Sequence, residues 1–412
     1  MIYLFTFLLL LFFSFRFDYV GKNYRDKILE AGRATNQNKR FCFILICFLL
    51  ICIAGFRYRI GGDSVAYERL YDRILPLFEF DLMDLSNSEY EPLYYLLGSI
   101  AKFISPEFWV LQLLQSLLVN IVMFRFIWKN IDNKFTGVLI YYIFLFLPFT
   151  CETMREACAV SMVLLGWEFL KKDKWLKFTF FLVLAVGFHI SALPLLIIPL
   201  LKVFNVWKYM KVNSFTLPLL IISTIVGYII LKVFFDYIIL LNITENLNSK
   251  AESYMSEAEE GLGLNMGGIL SKVCQYALFV YISVRHFKFS NKSLQNNLEP
   301  LILLCLIVQC LSFSITILYR YNNYLMPFTL MCIADMFYDK RLCLSKKTKL
   351  VTAGFLIWFI LYFPAVFFHL YGLAEPVHGT KYRQYMNYYP YSSIFTKEVD
   401  SNREHVFQLY GN

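Results

Sequence analysis

Long apolar runs constrain this chain more than any other feature. Ser214–Phe235, Leu298–Leu318 and Lys349–Leu370 are each close to the ~20 residues that cross a hydrocarbon core. A backbone in lipid must satisfy its own hydrogen bonds, so such runs are helices. The alternating pattern of a membrane barrel is absent. The expected fold is all-α, a polytopic bundle of transmembrane helices. Charge agrees: 17% of the 412 residues are charged, against about 25% in a soluble domain, and the charges cluster between the apolar runs.

Twelve spans are expected, near 1–15, 41–56, 108–128, 135–151, 155–170, 176–188, 190–203, 215–235, 266–284, 298–318, 321–338 and 350–371. Met1–Phe15 lacks a basic start and a small-residue cleavage site, so it is read as a retained first helix. Glu91–Ile104 is apolar but short, and is read as a re-entrant or interfacial helix. Trp175–Leu201 is read as two short helices broken near His189, because Pro194 disfavours a continuous one.

The connecting segments then alternate in charge. One set (16–40, 129–134, 171–177, 202–211, 285–292 and 339–349) carries more than twice as many Lys and Arg as the other, although it is shorter in total. The positive-inside rule puts that set in the cytoplasm and both termini outside. The domain organisation expected is one transmembrane domain over 1–371 with outer segments 57–107 and 236–265, then an outer tail over 372–412. The net charge of +9 comes largely from these loops, so it is not a nucleic-acid signal. The ten cysteines fall mostly in apolar runs without a CxxC pattern and are read as small core residues.

Five short stretches carry chemistry. Arg57-Tyr-Arg59-Ile-Gly-Gly-Asp63-Ser opens the first outer segment. Its glycines permit a tight turn. Asp63 and Ser64 can cap the helix that follows, with snorkelling arginines behind them. Alternatively, Asp63 is a carboxylate fixed at the membrane surface beside cations that hold a phosphate. Glu89-Tyr-Glu91-Pro92-Leu-Tyr-Tyr95 suits a helix start, and its tyrosines could stack on sugars. Glu152, Arg155 and Glu156 have the spacing of one helical face. They form an interfacial ion pair or a functional intramembrane group. His189 is the only ionisable residue between Lys177 and Lys202 and sits at the expected break. It is a core histidine, or a base or phosphate ligand. Arg320 and Tyr321 lie in a tyrosine-rich turn between two spans, as an oxyanion contact or an aromatic-belt anchor. The charge-derived topology brings all five to one side.

The order Arg-x-Arg-Ile-Gly-Gly-Asp, Glu-Pro-x-Tyr-Tyr-x-Leu, Arg-Glu-Ala-x-Ala, Phe-His-x-Ser-Ala-Leu and Arg-Tyr, running from about Arg57 to Pro327, resembles the EpsG family. These are Wzy-like bacterial polysaccharide polymerases whose fold is related to the GT-C glycosyltransferases. Where the family often has Arg-Gln, this chain has Arg155-Glu156.

The resemblance implies a multi-pass protein of the bacterial inner membrane whose site faces the periplasm or cell exterior. It implies transfer of a glycan from a polyprenyl-pyrophosphate donor to a lipid-linked acceptor, for an exopolysaccharide, capsule or O-antigen. Partners would be those lipid-linked oligosaccharides, membrane lipid, and a chain-length regulator and flippase. Arg57, Arg59, Glu91, Arg155, Arg320 and Tyr321 are the substrate-binding candidates. Permanently charged, bidentate arginines suit a pyrophosphate leaving group. Asp63 is the first candidate base and His189 the second. No cofactor is expected, and the carboxylates are not clustered as Mg²⁺ usually needs. The competing readings are a polysaccharide flippase or exporter, an O-antigen-ligase-like enzyme, and an O-acyltransferase of the same pathway.

Overall fold

The structure, a computed structural model, describes residues 2–20, 32–213, 279–287, 295–312, 318–338, 381–382 and 384–409, with isolated positions between 216 and 233. Among these residues the chain is helical, with one isolated bridge between Arg57 and Ser393 and no strand. The expected span 350–371, outer segment 236–265 and most of spans 215–235 and 266–284 lie outside the described residues.

The chain divides into two compact units. The first begins with α1 (Ile2–Phe13), which continues as a π-helical stretch (Ser14–Val20), and α2 (Gly32–Gly55). The segment 57–107 follows with α3 (Ser64–Asp72), α4 (Leu82–Asn87) and α5 (Pro92–Ile104). Then come α6 (Phe108–Asn130), α7 (Lys134–Tyr141), α8 (Met154–Leu170) and α9 (Trp175–Phe188). The second unit includes α10 (Ile197–Val203), α11 (Gln295–Leu311) and α12 (Tyr319–Tyr338). The tail returns to the first unit and ends in α13 (Ser401–Leu409).

Two stretches, Gln37–Gly55 and Phe108–Asn130, are long and apolar enough to cross a membrane by length and composition, and several shorter apolar helices accompany them. Their outer faces are consistent with a membrane protein. Helix α1 exposes Leu4, Phe5, Leu8, Leu11 and Phe12, and α2 exposes Phe41, Ile44, Leu45 and Phe48. These positions recur at three- and four-residue spacing, so each makes a continuous apolar stripe. Lipid tolerates such a stripe, whereas soluble monomers rarely present one that large.

Several inward-facing polar groups are satisfied by neighbouring helices. Ser116 donates to Ile51 O (3.1 Å), joining α6 to α2. Tyr141 donates to Asn120 Oδ1 (3.1 Å). The Asp18 carboxylate accepts from Thr136 N (2.8 Å) and Thr136 Oγ1 (3.0 Å) and meets Lys39 at 3.4 Å. Within the second unit, Glu299 accepts from Val212 N (2.9 Å) and pairs with Lys211 (3.0 Å). A buried carboxylate is tolerable only with such partners.

Three local features shape the first unit around residues 57–107. The expected span 135–151 is α-helical only to Tyr141. It then runs through π-helical turns at Tyr142–Phe146 and Pro148–Glu152, a distortion common at functional sites. Consequently Glu152 precedes α8 and does not share a helical face with Arg155. The break expected near His189 is present: α9 stops at Phe188, and Ile190–Leu196, containing Pro194, is 3₁₀-helical. Finally, the tail docks on residues 56–61. Tyr58 N donates to Ser392 O (2.9 Å), Gly61 N to Asn387 O (3.0 Å) and Ile394 N to Phe56 O (3.0 Å). Arg403 is fully buried and donates to Met386 O (3.1 Å), Ser392 Oγ (3.0 Å) and Pro390 O.

Candidate functional site

Helix α5 begins with Pro92 at its first position, where a missing N–H costs nothing. Its N-cap residue is Glu91, whose side chain makes no capping bond. The carboxylate is used elsewhere. Glu91 Oε1 lies 2.6 Å from His189 Nδ1 and accepts from Ile190 N (3.1 Å). Glu91 Oε2 accepts from Arg155 Nη1 (3.0 Å). Gly187 permits this approach of α9 to α5, because a Cβ there would meet Leu93 Cδ1 at 2.9 Å.

Burial alone would raise the Glu91 carboxyl. The His189 hydrogen bond, the Arg155 charge and the Ile190 N–H outweigh it and hold the group at about 2. An ionised carboxylate only accepts, so His189 Nδ1 carries the proton in that bond. The imidazole is thereby fixed in orientation, and Nε2 is left to act.

Arg155 is the second member of the cluster. Its Nη1 also donates to Glu89 O (3.3 Å), and its guanidinium lies 5.4 Å from the centroid of the Tyr90 ring. Tyr67, from α3, lies beside the same guanidinium. Burial pushes the Tyr67 phenol up to about 12 against the pull of Arg155, so it stays a protonated donor. Glu89 pairs with Arg73 at 2.9 Å.

The Gly-Gly-Asp turn packs against the neighbouring π-turn. Gly61 has φ +104, and a Cβ there would meet Cys151 O at 2.7 Å, so only glycine fits. The Glu152 carboxylate accepts from Gly62 N (2.8 Å) and Asp63 N (3.3 Å). Asp63 is exposed and occupies the N-cap position of α3 without a side-chain capping bond.

Of the sequence candidates, Asp63, Glu91, Arg155, His189, Arg57 and Arg59 all fall in the first unit. The two arginines diverge. Arg57 is 1% exposed, donates to Ala54 O and meets Met154 Sδ at 3.3 Å, so it does not snorkel. Arg59 is partly exposed and pairs with Glu68 at 3.0 Å. Arg320 and Tyr321 belong to the second unit, where Arg320 is exposed at the start of α12. Tyr90, Tyr94 and Tyr95 are nearly inaccessible and serve as packing, not as open stacking platforms. Sequence reasoning gave no role to Tyr67, the Glu152 cradle or Arg403. Tyr67 and Glu152 carried a signal, one as the tyrosine that follows the Gly-Gly-Asp turn and the other by its place in the Arg155 motif. No metal-binding cluster of His, Cys, Asp or Glu occurs among the described residues.

A carboxylate-oriented imidazole beside a guanidinium can take a proton from a hydroxyl while a nearby anion is held. The model of the EpsG family matches residues 40–393. No curated relative and no solved structure gives a match.

Proposed function

The chain belongs to the EpsG family, and from that premise we propose that it is a polysaccharide repeat-unit polymerase acting at the outer face of the bacterial inner membrane. Family membership implies a role in exopolysaccharide biosynthesis. The polymerase activity, the full set of about twelve spans and the kinship to GT-C glycosyltransferases are the finer reading.

The observation that carries it is the Glu91–His189–Arg155 cluster. In the proposed reaction the hydroxyl oxygen of a lipid-linked acceptor forms a bond to the anomeric carbon of the donor glycan. The anomeric carbon–oxygen bond to the polyprenyl pyrophosphate breaks, and that lipid leaves with the electron pair. His189 Nε2 takes the hydroxyl proton, with Glu91 holding Nδ1. Arg155 meets the departing negative charge. This reading takes His189 as the base ahead of Asp63, because Glu91 orients the imidazole while Asp63 stands exposed.

Deleting the gene should remove long glycan from the cell surface and leave single repeat units on the lipid carrier. Restoring the chain should restore a ladder of repeat multiples. A ladder of unchanged length in the deletion strain would refute the polymerase reading.

A further inference from the structure

A groove runs between α3, the turn at residues 105–108 and α13, with a volume of about 730 Å³. That size lies within the roughly 300–1,000 Å³ of ligand sites. Its rim carries Arg59, Arg69, Asp72, Glu107, Glu404 and Gln408, and Pro106, Phe108 and Phe407 back it. Mixed carboxylates, guanidiniums and an amide over apolar rings suit sugars, whose hydroxyls both donate and accept while their C–H faces pack on rings.

Helix α3 separates this groove from the Arg155 cluster. Val65, Glu68, Arg69 and Asp72 recur at one-turn spacing and line the groove. Tyr67 lies on the opposite side, beside Arg155.

A smaller cavity shares Arg59, Glu68, Glu107 and Phe108 with the groove and reaches inward to Arg57 and Ser64. Arg57 is 1% and Ser64 2% exposed. Arg57 Nε and Ser64 Oγ have no hydrogen-bond partner among the described residues. Both face a cavity of about 30 Å³, which has room for a single hydroxyl or water. Lys397 bridges to Glu107 across the cavity wall at 3.5 Å, and both side chains are 56% exposed. Such an exposed pair holds weakly and can open.

We propose that this groove binds the inner sugars of the acceptor glycan, leaving its terminal hydroxyl free to reach His189 on the other side of α3, where the Arg155 cluster holds the donor's pyrophosphate. The assignment rests on the polymerase reading above. It gives the docked tail a role, since α13 supplies one wall of the groove.

The test uses the full chain in detergent and, as probe, a two-repeat oligosaccharide released from the host's own polymer by mild acid. Asp72→Asn with Glu404→Gln removes two exposed carboxylates, and Gln408→Trp fills the groove from the α13 side. Each should weaken oligosaccharide binding at least 10-fold and raise KM for the acceptor, with KM for the donor unchanged and elution as a folded species retained. In cells both should shorten the polymer ladder. Wild-type protein that makes no polymer would overturn the polymerase reading itself. Wild-type protein that polymerises, with both variants binding and extending as it does, would overturn the groove alone.

Discussion

Arg155→Ala will abolish polymer formation, and Arg155→Lys will not restore it. One Arg155 nitrogen serves both Glu91 Oε2 and Glu89 O while the guanidinium plane covers Tyr90. A lysine ammonium is a point charge that lacks the planar fork. Losing a preorganised donor to a developing anion costs about 10²–10³ in rate, and the same change leaves the buried side of Glu91 with one partner fewer. Arg57→Ala should behave differently. Arg57 is buried against Ala54 O and Met154, so its loss should lower the unfolding temperature as well as activity. Yield and elution profile separate the two effects. Arg155 variants that accumulate normally and still build full-length polymer would remove the guanidinium from the mechanism.

The second large effect concerns the base. His189→Gln preserves a hydrogen bond to Glu91 but has no basic nitrogen, so turnover should fall by about 10²–10⁴. Asp63→Asn should keep a substantial part of the activity, because Asp63 makes no capping bond and stands exposed at the surface. Glu91→Gln should fall between them, since it loses the charge that fixes the imidazole and pairs with Arg155. It should also change the pH profile, which a merely structural role would not. The reverse pattern, with Asp63→Asn dead and His189→Gln active, would move the base to Asp63. Near-normal activity in both would end this mechanism and leave the family assignment standing.

Much of this was legible in the sequence, and the illegible part has a physical pattern. Apolar length and loop charge mark helices such as α6, and Pro194 with His189 marks the break after α9. What pairs with what is harder to read. Glu91 and His189 are 98 residues apart, and helical spacing identifies a face without naming its partner. The shared face expected for Glu152 and Arg155 fails because Glu152 ends a π-turn and Thr153 leaves the helical backbone before α8, which no period in the sequence announces. The tyrosines after Pro92 look like sugar platforms in one dimension, yet the packing of α3 on α5 encloses them. The tail carries polar residues that resemble a solvated end, but buried Arg403 gathers its carbonyls and holds it on residues 56–61. A tail that supplies binding groups is visible only once it is folded back.

The central claim is formation of a glycosidic bond on the outer side of the bilayer. It is tested most directly by reconstituting the purified chain in liposomes with the host's polyprenyl-pyrophosphate-linked repeat unit. The expected result is a ladder of repeat multiples, with one polyprenyl pyrophosphate released for each new linkage. The reaction should require substrate on the face that carries residues 57–107. Movement of intact lipid-linked units across the bilayer without any new linkage would contradict the account and make the chain a transporter.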